Sequence, residues 1–232
     1  MTGSMVRCTF TTLLGVALSA AVASAHFVWI QSEPAGEEVL IRSGFGEHDG
    51  WDPDLVDRMA KSVFRLRTSK GLEKLAVALD ADADEYRAKL KPGAGEAVLA
   101  ETDFGIIQFG GSPPTHLRYT AKHLLNPPAK WTADKPESDR RIEIIAKAEG
   151  TDVKLTVLHL GKPLAGAKIK ATTPKGESVE MVTDDHGAAT WNAKEPGLYG
   201  CYVGTTIEEA GELAGKKYST MKDYATLTFQ VP

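Results

Sequence analysis

Six histidines, His26, His48, His116, His123, His159 and His186, hold the clearest claim to chemistry in this chain. No Ser-His-Asp set, phosphate-cradling glycine loop, dinucleotide fingerprint or Cys-x-x-Cys pair accompanies them, so nucleophilic and nucleotide chemistry have no foothold and no catalytic residue is assigned. Metal binding is the option left to test. His26 is the most informative of the six because of what precedes it. Arg7, the apolar run Leu13 to Leu18 and the small residues Ala23-Ser24-Ala25 follow the three-part layout of a secretory signal. Residues 1–25 are therefore expected to be removed, leaving His26 first in the mature chain. A terminal histidine offers its α-amine and its ring Nδ1 to one ion, closing a six-membered chelate ring. With unperturbed pKa values of ~7.7 to 8.0 for the amine and ~6.5 for the imidazole, a metal displaces both protons at little cost near neutral pH. Nitrogen donors in a plane suit Cu(II) and Ni(II). The plain alternative is a histidine that follows a cleavage site by chance.

His48 is the expected partner. It lies in Gly44-Phe45-Gly46-Glu47-His48-Asp49-Gly50-Trp51-Asp52, a glycine-rich segment dense in donors. Glu47, Asp49 or Asp52 can serve there as oxygen ligands or accept the N–H of a ligating ring; a solvated polar turn is the competing reading. His116 and His123 flank Leu117 to Lys122, seven positions apart. On a helix they would share a face and could both be ligands, whereas on a strand they point to opposite faces and cannot share an ion. His159 is in phase with Val153, Leu155 and Val157 and is expected to face a core near a strand end. His186 belongs to a solvated turn ending in Gly187. Cys201, among Tyr199, Tyr202 and Val203, reads as an inert buried thiol.

The elements that must position these residues are strands. Val39–Ser43, Ser62–Thr68, Leu75–Leu79, Glu85–Leu90, Phe104–Phe109 and Arg141–Ala146 alternate apolar and polar residues between turn formers. One short helix is expected at Pro53–Ala60, capped by Asp52 with Pro53 in its first turn. Asn126–Arg140, rich in proline and charge, reads as a loop. Past Gly150, seven short strands separated by Gly, Pro and Asp turns run to Val231, the spacing of a small Ig-like or prealbumin-like β-sandwich. The expected fold is thus all-β: a β-rich N-terminal domain over 26–149 and an Ig-like module over 150–232.

Composition narrows the partners. The full chain carries a formal net charge of −4, and loss of Arg7 with the signal makes it one unit more negative. Nucleic acid needs a concentrated basic face and is not expected. No apolar run approaches the roughly 20 residues of a membrane span, so no membrane insertion is expected after signal cleavage. With only Cys201 left after the signal, an intrachain disulfide is impossible.

The start Ala25 to Pro34, the loop Ile41 to Pro53, the stretch His116 to Leu125, the module Val157 to Trp191 and the ending Tyr224 to Val231 together resemble an exported family often labelled as the periplasmic component of nickel or cobalt uptake. The resemblance covers nearly the whole mature chain. It implies a β-rich domain followed by an Ig-like module, a mature N-terminal histidine, a periplasmic or secreted location, and a membrane transporter or envelope protein as partner. Lytic polysaccharide monooxygenases and periplasmic copper-resistance chaperones also hold metal through an N-terminal histidine, a likeness of one residue.

Two function classes follow. The first is a non-catalytic periplasmic protein that captures or delivers nickel, cobalt or copper through His26, with His48, Asp49, His116 and His123 as further candidate ligands. The second is a structural or interaction module that binds an envelope protein or a glycan, with Trp51 and Trp131 as an exposed contact patch. A copper enzyme acting on oxygen or peroxide would need open coordination positions and a substrate surface, and the sequence displays neither.

Overall fold

The alternation read along the chain becomes strands almost throughout. The computed structural model describes residues 26–108, 110–131 and 140–232, so the expected signal over 1–25 and most of the proline-rich loop fall outside the described residues. The first half holds β1 Phe27–Ala35, β2 Glu38–Glu47, β3 Gly50–Trp51, β4 Val63–Thr68, β5 Gly71–Lys74, β6 Ala78–Asp80, β7 Glu85–Leu90, β8 Ala97–Ile107, β9 Thr115–Leu124 and β10 Ile142–Glu149. The second half adds β11 Asp152–His159, β12 Lys162–Pro163, β13 Lys168–Thr172, β14 Ser178–Val182, β15 Ala188–Asn192, β16 Gly197–Ile207, β17 Gly211–Leu213, β18 Lys216–Tyr218 and β19 Thr220–Val231. The protein is all-β. Among the described residues, its helical pieces are the 3-10 turns Pro53–Met59 and Pro128–Lys130.

One eight-stranded sheet, in the order β14-β13-β16-β19-β9-β8-β4-β5, contains strands from both halves of the chain. β19 and β9 run parallel at its centre, with Tyr224 beside Tyr119 and Thr228 beside His123. A second sheet, β1-β2-β7-β6, carries β3 on β2, and a third, β10-β11-β12, carries β15 on β11. Gly150 occupies the turn between the paired strands β10 and β11.

Alternation along the central strands divides two cores. Ala97 and Leu99 of β8 join Ile142, Ile144, Leu155, Leu227 and Phe229 on one face. Val98 and Ala100 join Phe27, Val28, Trp29, Ile30, Phe45 and Tyr119 on the other. β1 is an edge strand of its own sheet, and its carbonyls would be costly to bury unbonded. Thr226 of β19 donates from Oγ1 to Val28 O at 2.7 Å, and Thr228 Oγ1 donates to Ile30 O. These bonds fasten β1, and so the start of the described chain, onto the central sheet.

Several local expectations change: nine strands, β11 to β19, stand where seven were expected past Gly150, and the expected strand Phe104–Phe109 is the end of β8, which stops at Ile107, with Phe109 outside the described residues. The short helix expected at Pro53–Ala60 is a 3-10 helix over Pro53–Met59, and Asp52 caps it as expected, accepting from Asp54 N at 3.0 Å. Leu75–Leu79 is not one strand: β5 ends at Lys74 in the central sheet, β6 begins at Ala78 in the second sheet, and the residues between them cross from one ladder to the other.

Candidate functional site

His26 stands directly ahead of β1, whose first pair joins Phe27 to Gly46. The chain after β2 folds back hard at this point. A Cβ on Gly46 would lie 2.6 Å from Gly50 O and 2.7 Å from Trp51 Cα, so only glycine lets Gly50-Trp51-Asp52 return across the strand. Asp52 N then donates to Phe45 O at 2.8 Å. The Asp52 carboxylate is fixed in consequence: Oδ1 caps the 3-10 turn, and Oδ2 faces His26 Nε2 at 3.4 Å. The imidazole lies parallel to Phe45, ring centroids 6.2 Å apart with a 7° interplanar angle. Ring stacking on Phe45 and the pinned carboxylate beside Nε2 set the orientation of the imidazole.

His26 is also the lip of a cleft of about 870 Å³ between the starts of β1, β9 and β19, the ends of β2, β8 and β16, and the 3-10 turn. Its floor includes Phe27, Phe45, Leu117 and Tyr119, each at most 6% exposed. Phe104 stacks on Phe45 at 4.8 Å, and Tyr224 stacks on Tyr119 at 5.4 Å. Burial raises the pKa of both phenols, which therefore remain neutral.

The other expected ligands stand elsewhere. The His48 ring meets Trp29 edge-on at 5.4 Å and covers Gly200, where an added Cβ would come within 2.0 Å of it. Its carbonyl accepts from Gln31 Nε2 at 2.6 Å. Both ring nitrogens are buried without a hydrogen-bond partner among the described residues, and burial lowers the His48 pKa despite the Asp49 charge. Asp49 is exposed beside a separate hollow lined by Arg42, Trp51 and Glu85.

His116 and His123 lie on one strand, which selects the branch in which they cannot share an ion. His116 is buried with Nε2 2.8 Å from Asp103 Oδ1, and its ring is 5.2 Å from Tyr218. His123 is enclosed on the opposite face, with Nδ1 2.8 Å from Thr228 Oγ1 and Nε2 2.7 Å from Ser32 Oγ. Because the Thr228 hydroxyl proton is engaged at Ile30 O, Thr228 accepts from Nδ1–H and Ser32 donates to Nε2. Both nitrogens are occupied, and full burial pushes the His123 pKa down to about 4. It is a core residue.

His159 is half-buried at a strand end, 3.7 Å from Asp223 Oδ2, and His186 is an exposed turn residue. Cys201 is fully buried, and its thiol pKa is raised by that burial. Trp51 lies under the Arg42 guanidinium, and Trp131 packs edge-on to Phe229 while donating to Asn126 O, so both are half-buried rather than an exposed patch.

Among the described residues, no three His, Cys, Asp or Glu side chains are grouped to hold a metal. The expected ligands His26, His48, His116 and His123 are therefore not brought together, and the carboxylate beside His26 is that of Asp52. Asp52, expected with Glu47 and Asp49 as one of three candidate donors around His48, stands beside His26 instead. Arg58 and Phe104, which no local motif singles out, stack at 5.3 Å on the cleft wall. A scan against models of known protein families finds no match to this chain, and a search of curated proteins finds none.

Proposed function

We propose that this chain, cut ahead of His26, is a non-catalytic periplasmic metal-binding protein that captures or delivers nickel, cobalt or copper. The α-amine and Nδ1 of His26 form the chelate, and Asp52 holds the ring from Nε2. The observation that carries the reading is the pinned Asp52 carboxylate facing His26 Nε2 at 3.4 Å. Metal-bound imidazoles characteristically present their second nitrogen to a carboxylate or carbonyl, which fixes the tautomer and raises the basicity of the ligating nitrogen. Glu47 follows Gly46, the ladder partner of Phe27, and is a further candidate oxygen donor to the ion. The reading takes 150–232 as an Ig-like module with a supporting role and an envelope transporter as the eventual acceptor of the ion.

Isothermal titration of the processed protein with Ni(II), Co(II) and Cu(II) tests it. One-to-one binding is expected with at least one of them, lost in His26→Ala and weakened about tenfold or more in Asp52→Asn. No heat with any ion, or undiminished affinity in His26→Ala, overturns the proposal.

A further inference from the structure

The cleft beside His26 combines three properties that together select a ligand. Its floor and walls are aromatic and aliphatic, with Phe104, Phe45, Tyr119 and Tyr224 forming a continuous run of stacked and edge-on rings. Its volume of about 870 Å³ lies inside the range of roughly 300 to 1,000 Å³ typical of small-molecule sites. Finally, none of the described residues lining it is Asp or Glu, although the chain holds 31 of them against 27 Lys and Arg.

The cations that line it are left over. Arg58 lies over Phe104, and Lys222 sits half-buried on β19; neither has a carboxylate within ion-pair distance among the described residues. Arg42, Arg87, Arg118 and Arg141, in contrast, are all set on buried carboxylates. An unpaired cation beside an apolar wall attracts an anion more strongly than one in open water, because the wall lowers the local dielectric. A bare inorganic anion would leave the aromatic surface wet, and a neutral apolar molecule would leave both cations unused.

We infer that this cleft binds a small amphipathic organic anion, an aromatic or apolar carboxylate whose body stacks on the Phe104 and Phe45 rings while its charge is met by Arg58 and Lys222. The inference uses neither the terminal amine nor a metal, so it stands or falls apart from the metal-binding proposal.

Calorimetric titration of the full chain with 2-naphthoate, and with uncharged 2-naphthamide as its partner probe, tests it in buffer containing EDTA. The naphthoate is expected to bind one-to-one and at least tenfold more tightly than the amide. Arg58→Gln together with Lys222→Gln should bring the two probes to within about threefold of each other, and Phe104→Ala should weaken both. Circular dichroism of each variant establishes that it is folded; Arg58 is exposed and Lys222 half-buried, and neither belongs to a core cluster. No binding of naphthoate, equal binding of the amide, or a charge preference that survives the double variant overturns the inference. Failure of metal binding with retention of this preference would remove the first proposal and leave this one standing.

Discussion

The two faces of the central sheet treat charge in opposite ways, and adjacent residues of β19 display the contrast. Asp223 turns toward the third sheet and is 1% exposed, with Arg118 Nε 2.8 Å from Oδ1, Arg141 Nε 3.2 Å from Oδ2 and His159 close by. The small cavity there, about 280 Å³, is lined by Arg118, Arg140 and Arg141, but Asp223 and Glu101 already answer them. Lys222, one residue earlier, points to the aromatic cleft and meets no carboxylate among the described residues. The same alternation divides β9, which sends Arg118 to the balanced face and Leu117 and Tyr119 to the cleft. Charge settled inside the protein holds layers together; charge left unsettled beside an open apolar wall is available to a ligand.

The sharpest way to break this contrast is to truncate the two neighbours. Asp223→Ala would strand two arginines and is expected to cost about 3 kcal/mol of unfolding free energy, reduced from the fully buried case because Arg118 and Arg141 are partly exposed. Lys222→Ala should change stability by less than about 0.5 kcal/mol. Urea denaturation of both variants checks this, and equal losses would dissolve the distinction.

Acid titration probes the deeper part of the same cleft-facing row, where His123 is enclosed. Its pKa falls from 6.5 in a free chain to about 4 when folded, so the unfolded state binds the extra proton between those values. Stability from this group is complete above about pH 6.5 and is lost as the pH drops toward 4, a change on the order of 3 kcal/mol. Unfolding free energies measured across that window should show the loss in the wild type, and His123→Gln should flatten that part of the curve.

A smaller effect locates His48. Gly200→Ala would drive a methyl group into the His48 ring and is expected to cost about 1 to 3 kcal/mol in chemical unfolding. His48→Ala should leave metal affinity within about threefold of wild type, because the ring packs on Trp29 and Gly200 instead of turning to His26.

How much of this was legible in the sequence depends on burial. Strands with one wet face, such as β7, β11 and β15, show clean alternation, and their expected bounds agree with the fold to within a residue. β1 and the first part of β8 carry no such signal, because Phe27 to Ile30 and Ala97 to Ala100 are buried on both faces, which erases the period of two. The readings of His186 as a solvated turn residue and of Cys201 as a buried thiol follow from local composition. What local sequence could not carry was pairing across the chain: that Asp52 serves His26, that Thr228 and Ser32 occupy both nitrogens of His123, and that Arg58 and Lys222, 164 positions apart in number, line one cleft. Those relations are made by the parallel β9–β19 ladder and by β1 lying across it, and neither has a local signature.

The proposed chelate at His26 requires a free α-amine on that residue. Two forms of the protein, one beginning at His26 and one retaining Ala25, should be verified by intact mass and titrated with Ni(II) and Cu(II) side by side. Tight one-to-one binding by the first form, with affinity at least tenfold weaker in the second, is the expected result, because a preceding residue turns the free amine into an amide that no longer donates. Equal affinity in the two forms, or no binding by either, would contradict it.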